Sequence, residues 1–237
     1  VTSATILGTV TDSTGGVLPG VDITVTHLDT NSVRMGLTDD TGRYRVSQLS
    51  LGAYEVRAEL TGFQTAIRQG LQLTIGQQAA INLTMSVGEI TEQVIVTEAA
   101  PLVETTSSEV SDLVDSRQIR DLPLNGRSFT ELAVLSPGVT TARAAGRSLI
   151  VGMGQKISVN GSRTNASGFI LDGTDINDSM GQAPGSVSGV TLGVETIREF
   201  KTLTSNFSAE YGRAAGGVIS AVTKSGTNRF HGSIFHF

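Results

Sequence analysis

Hydrophobic and polar residues alternate in short, separated runs between residues 5 and 87. In "VDITVTHL" Val21, Ile23 and Val25 share one face against Asp22, Thr24 and Thr26. "YEVRAEL" sets Tyr54, Val56, Ala58 and Leu60 against Glu55, Arg57 and Glu59, and "AINLTMSV" sets Ile81, Leu83, Met85 and Val87 against Asn82, Thr84 and Ser86. A period of two marks strands with one buried face. The punctuating runs "DSTGG", "LPG", "DDTG" and "TGF" fall at the spacing of a β-sandwich. The pattern therefore predicts a sandwich over residues 1 to 87, with Val21, Ile23, Val25, Tyr54, Val56, Ile81 and Leu83 in its core.

Beyond residue 87 the alternation fades. Residues 88 to 114 read as an acidic linker, with Pro101 and "ETTSSEVSD" as loop signals, interrupted by the β-prone "EQVIVTE". From Asp115 the texture changes again. "DSRQIRDLPLNG" reads as a short helix stopped by Pro123, and "SFTELAVLSPG" as a second helix from about Ser128 to Leu135 with Ser128 as N-cap and Glu131 three residues on. "KISVNGSRTNASGFILDGTDIND" reads as strand, loop, strand; a helix or turn follows near Val194 to Glu199, and a strand from Gly217 to Thr223. Residues 229 to 237, "RFHGSIFHF", form a last extended run. Phe230, Gly232, Ile234 and His236 occupy one side of it, and His231, Ser233, Phe235 and Phe237 the other.

Composition supports the β-rich reading. The 237 residues include 28 Gly and no Trp, with 38% hydrophobic and 16% charged, which suits a folded chain of short strands and many turns. There is no cysteine, so thiolate metal sites and cysteine nucleophiles are excluded. No apolar run approaches the length of a membrane helix. The net charge is −5, unevenly placed: between Arg68 and Arg117 there is no Lys or Arg, while Glu89, Glu92, Glu98, Glu104, Glu109, Asp112 and Asp115 are all acidic. Such a segment repels nucleic acid, so none is expected as a partner. It attracts a basic protein, or equally serves as a solvated linker held extended by self-repulsion.

Candidate chemistry is sparse. Asp172, Asp175, Asn177 and Asp178 share one loop, but their spacing departs from an EF-hand, and Asx turns account for them better than calcium. Gly152 and Gly154 precede a strand, where a dinucleotide fingerprint needs them after one. His27, His231 and His236 are too scattered for a triad or a zinc site, and neither G-x-S-x-G nor H-E-x-x-H occurs. The expectation is no catalysis, no cofactor and no metal.

Two stretches resemble known families. "ILGTVTDSTGGVLPGVDITVTHLDTNSVRMGLTDDTGRYRVSQLSLGAYEVRAELTGFQTA" carries G-x-V-x-D, P-G-V, T-D-x-x-G-x-Y, G-x-Y-x-V and G-F in order, and resembles the carboxypeptidase regulatory-like domain, a transthyretin-like sandwich. "FILDGTDIND" and "VETIREFKTLTSNFSAEYGRAAGGVISAVTKSGTN" resemble the plug domain of TonB-dependent outer-membrane receptors, placed here at residues 115 to 228. The order, sandwich then plug, is similar to that of the Oar-like receptors. The resemblance implies that residues 229 to 237 are a first barrel-type strand, that the chain lies on the periplasmic side of a Gram-negative outer membrane, and that a TonB-type energy-transducing protein is its partner. It also gives "EQVIVTE" a role as a TonB box that adds a strand to the partner's sheet through Gln93, Val94, Ile95, Val96 and Thr97. The plug's own first strand is the other reading of that segment.

The expected fold is thus mainly β: a transthyretin-like sandwich, then an α+β plug-like domain, then an unpaired strand. One function follows from the resemblance, the periplasmic and plug portion of a receptor. A second follows from the terminal strand, whose faces are both apolar through Phe230, Ile234, Phe235 and Phe237, with Ser233 between them. It is a self-assembling extracellular protein whose last strand completes a sheet in an identical subunit and so builds a fibre.

Overall fold

A computed structural model describes residues 2–88, 93–96, 109–121, 129–141, 156–177, 195–230 and 232. They fall into two compact units, residues 2–107 with 226–231, and residues 108–225 with the remaining terminal residues.

The first unit is a sandwich of two sheets. One has the order β4-β1-β7, with β8 also on β1; the other has the order β3-β2-β5-β6-β9. The strands are β1 (Ala4–Asp12), β2 (Asp22–His27), β3 (Val33–Leu37), β4 (Arg43–Leu49), β5 (Gly52–Glu59), β6 (Thr65–Leu73), β7 (Gln78–Ala80), β8 (Leu83–Met85) and β9 (Gln93–Val96). All seven residues expected in the core are buried, joined by Ile6, Val10, Tyr44, Leu73, Ile75 and Met85. Val87, placed with them by the alternation, is 75% exposed. The strand ends at Met85, and Val87 is instead bridged to Phe63, which breaks the period.

The motif residues of this unit are structural. Thr38, buried, donates its hydroxyl to the Leu18 carbonyl at 2.8 Å and accepts the Val21 amide at 2.8 Å, tying the P-G-V turn to the T-D-x-x-G turn. Asp39 then accepts from the Thr41 amide, the Thr41 hydroxyl and the Arg43 amide, at 2.8, 2.7 and 2.9 Å. Asp12 does the same for Thr14 and Gly16. In both cases the threonine hydroxyl comes first among the hydrogen bonds that hold the carboxyl below the ordinary carboxylate range. At Gly8 the backbone of β1 meets the carbonyl of Ile81 so closely that a Cβ would run into it. Asn82 fills the break between β7 and β8 by accepting the Thr9 amide at 3.0 Å.

β3 is an edge strand. Its register places Val33, Met35 and Leu37 opposite Thr26, Thr24 and Asp22, on the face away from the core. These three are 47%, 80% and 61% exposed, an apolar row in solvent.

The second unit is built on a five-stranded mixed sheet, order β10-β15-β16-β13-β14. Its strands are β10 (Val110–Val114), β13 (Gly168–Leu171), β14 (Thr174–Asp175), β15 (Ile197–Ser205) and β16 (Val218–Thr223). β11 (Val139–Thr141) and β12 (Ile157–Val159) form a separate antiparallel pair. Helix α1 (Ser116–Asp121) stands where the sequence predicts a short helix. The core gathers Val114, Ile119, Leu132, Ala133, Val139, Ile157, Phe169, Ile197, Phe200, Ile219 and Ala221. At Gly217 a Cβ would lie 2.7 Å from Val159 Cγ1 and 3.0 Å from the Leu203 carbonyl, so the backbone needs glycine there.

Three expectations change. Within residues 88 to 114 the strand read in "EQVIVTE" is β9, which lies in the sandwich sheet, but the stretch read as loop ends in β10, a strand of the second sheet. β10 escapes the alternation because only Val114 of its five residues is buried. The helix expected from Ser128 to Leu135 is a 3-10 helix at Phe129–Leu135, with Ser128 outside the described residues. Its neighbouring Leu132 and Ala133 are both fully buried, a narrow contact that a tight three-residue turn presents well. The helix or turn expected near Val194 to Glu199 is a turn at 195–196 that leads into β15, where a register shift between Ile197 and Glu199 hides the strand period.

Candidate partner-binding strand

The segment singled out for strand addition is a strand. Gln93–Val96 forms β9 and runs parallel to β6, pairing Gln93 with Thr65, Val94 with Ala66, Ile95 with Ile67 and Val96 with Arg68. Its composition explains the conformation: Val-Ile-Val has three β-branched residues in a row, which favour the pleated backbone. Among the described residues β9 ends the sheet order. Thr97, the fifth residue of the set, lies outside the described residues.

The seat on β6 is well defined. Ala66 pairs with Ala58 of β5 and faces the core, whereas Ile67 pairs with Arg57 and alternates to the outer face. Both are buried, Ile67 at 2% exposure. β6 is in turn held by β5 along most of its length, from Gly52 with Leu73 to Ala58 with Ala66.

The second group of candidates lies at the end of the chain. Phe230 is described and fully solvent-exposed, and Gly232 carries no strand assignment. Ser233, Ile234, Phe235 and Phe237 lie outside the described residues. Just before them, Asn228 donates its amide to the Asp29 carbonyl at 3.1 Å and its Nδ2 to the Thr30 carbonyl at 3.0 Å, within the sandwich unit.

The side chains of the loop considered for calcium make hydrogen bonds, one within a local turn and the others to residues outside the loop. Asp172 accepts from the amide and the hydroxyl of Thr223, at 2.9 and 2.8 Å. Asp175 accepts the Asn177 amide at 2.9 Å, and Asn177 accepts the Phe169 amide at 2.7 Å while donating to the Ser167 carbonyl. Asp178 lies outside the described residues. His27 is buried, with Nε2 3.1 Å from the Leu51 carbonyl and Nδ1 accepting the Thr30 amide at 3.2 Å. Those two contacts place its proton on Nε2 and make it a core histidine.

One ionic feature was not legible in the sequence. Lys201, on β15, is 5% exposed and its Nζ lies 3.6 Å from Oε2 of Glu109, the residue just before β10. Part of the acidic segment is therefore folded onto the second unit. No pattern marks this pair, because a buried lysine reads as a solvent-facing one. Among the described residues no cluster of three or more His, Asp or Glu is arranged to hold a metal ion, and no helix is long and apolar enough to cross a membrane.

Comparison with known proteins accounts for both units. The carboxypeptidase regulatory-like domain family matches residues 5–86, and the TonB-dependent receptor plug domain family matches residues 102–218. The TonB-dependent transporter Oar of Myxococcus xanthus is 31% identical over 98% of this chain, and the chain spans 21% of that protein's length. Among solved structures, the siderophore receptor PirA of Acinetobacter baumannii is 24% identical over 50% of this chain and 18% of that one, with a TM-score of 0.38. The Bacillus anthracis TIE protein is 17% identical over 36% of this chain and 17% of that one, with a TM-score of 0.31. From the sequence matches, the chain belongs to the TonB-dependent receptors, as a carboxypeptidase regulatory-like domain followed by a receptor plug domain.

Proposed function

We propose that this chain is the periplasmic and barrel-plugging portion of a TonB-dependent outer-membrane transporter, that it catalyses no reaction, and that it engages a TonB-type energy-transducing protein by strand addition through residues 93 to 97. The observation that supports this most is β9 itself. A four-residue segment between the two matched domains takes up strand conformation at a sheet edge, in a stretch of chain free of basic residues. Backbone hydrogen bonds to an added strand supply affinity, and the flanking Glu89, Glu92 and Glu98 favour a basic partner domain.

In this reading the plug closes a barrel that continues from residues 229 to 237, and traction on the strand by the partner alters the plug so that a solute passes. The sandwich is the periplasmic extension that carries the strand. The test is a binding titration of a TonB C-terminal periplasmic domain against this chain and against Val96→Pro, which removes an amide donor and fixes φ. A loss of tenfold or more in affinity is expected. Equal affinity for the two would leave β9 without a partner role, and a native protein of mass near 25 kDa would exclude the barrel.

A further inference from the structure

The strand-addition reading leaves open where the partner's strand lies, and β9 is not a free peptide. It is laid in register along β6, at the end of a sheet whose next neighbours are β5 and β2. In a parallel ladder alternate residues direct their N–H and C=O groups to one neighbour, and the residues between direct theirs to the other side. The β6 pairing therefore uses one edge of β9 and leaves the other edge aimed outward. The family match to the sandwich ends at residue 86, so β9 lies outside the matched domain.

Resting on the strand-addition reading, we propose that the sandwich is part of the docking site: the partner's edge strand adds to the outer edge of β9 while β9 stays on β6, so that one sheet runs from the carboxypeptidase regulatory-like domain into the TonB-type domain. Seating on β6 fixes the strand's backbone and register before the partner arrives, which removes much of the ordering cost that a loose peptide would meet on binding. The partner's chemistry is set by the same stretch of chain. It must offer an unpaired strand edge on a basic domain, because no Lys or Arg lies between Arg68 and Arg117.

The chain has no cysteine, which allows a clean test. The double variant Arg68→Cys, Val96→Cys places thiols on two paired residues, within disulfide reach for adjacent strands. Mild oxidation should cross-link it, whereas Arg68→Cys with Ile95→Cys, one residue out of register, should stay reduced. The oxidised in-register variant should bind a TonB C-terminal domain at least as tightly as its reduced form. A tenfold or greater loss on oxidation, restored by reductant, would mean that β9 must leave β6 to bind and would overturn the proposal. So would absence of the in-register cross-link, or equal cross-linking of both pairs. If neither the unmodified chain nor the reduced variant binds, the strand-addition reading itself fails, an outcome distinct from the others.

Discussion

Replacing Gly8 with alanine tests the account of the sandwich at its tightest point. The added methyl group would collide with the carbonyl oxygen of Ile81, lie 2.6 Å from its carbonyl carbon and press on Tyr44 Cε1 at 3.1 Å. Two of these contacts are backbone, so relief requires β1 to move away from the break between β7 and β8. That movement endangers three hydrogen bonds: the Ile81 amide to the Leu7 carbonyl at 2.7 Å, the Thr9 amide to Asn82 Oδ1 at 3.0 Å, and the Tyr44 hydroxyl to the Ile81 carbonyl at 2.7 Å. At about 1 kcal/mol each, with some overpacking added, the cost is roughly 2 to 4 kcal/mol. For a domain of this size that lowers the melting temperature by roughly 10 to 25 °C. Calorimetry of the whole chain should show the sandwich transition moving while the other stays. A double-mutant cycle sharpens the test. Tyr44→Phe alone should cost about 1 to 2 kcal/mol, because a buried carbonyl loses its donor, but much less in the Gly8→Ala background, where that bond is already broken. A Gly8→Ala melt within about 3 °C of the parent, or full additivity with Tyr44→Phe, would refute the close approach.

Val56→Asp or Leu83→Asp would bury an unpaired charge at fully or almost fully covered positions and should abolish the sandwich transition, read by circular dichroism. Asp12 and Asp39 have carboxyl pKa values lowered in the folded state by their threonine and amide hydrogen bonds. Their contribution is therefore present above the unfolded carboxylate pKa and is lost as pH falls through the lower folded value. Asp12→Asn and Asp39→Asn should flatten the acid limb of a pH-denaturation curve by lowering stability in the neutral region toward its acid value; an unaltered acid limb counts against these turns. Glu109→Ala strands the buried Lys201 charge and should destabilise the second unit by about 3 kcal/mol in urea, whereas Glu109→Leu with Lys201→Met should recover most of that loss.

The sandwich was legible because each of its strands has one wet face. Val21, Ile23 and Val25 alternate with threonine and aspartate that solvent reaches, and the turn residues between strands have fixed backbone requirements. β15 lacked that signal. It is covered on both faces, with Lys201, Thr202 and Thr204 buried beside Phe200 and Leu203, so its polar residues imitate solvent exposure. The strand character of β9 was visible in Val-Ile-Val, but its seat was not. Parallel pairing of residues 65–68 with 93–96 depends on which sheet edge the topology leaves open, and no local pattern encodes that. The Lys201–Glu109 pair was hidden for a similar reason, since it joins residues far apart in sequence whose types alone suggest surface positions.

The apolar row on β3 gives the molecule a chemical reporter of what touches that edge. Met35 stands in the row at 80% exposure, whereas Met85 is sealed in the core at 1%. Dilute peroxide converts an accessible thioether to a polar sulfoxide and spares a buried one. Peptide mass mapping of the treated protein should therefore find oxygen on Met35 and not on Met85. In the intact receptor the same reagent becomes a footprint: protection of Met35 would show that the row is covered in the native assembly, and full oxidation that it faces water there.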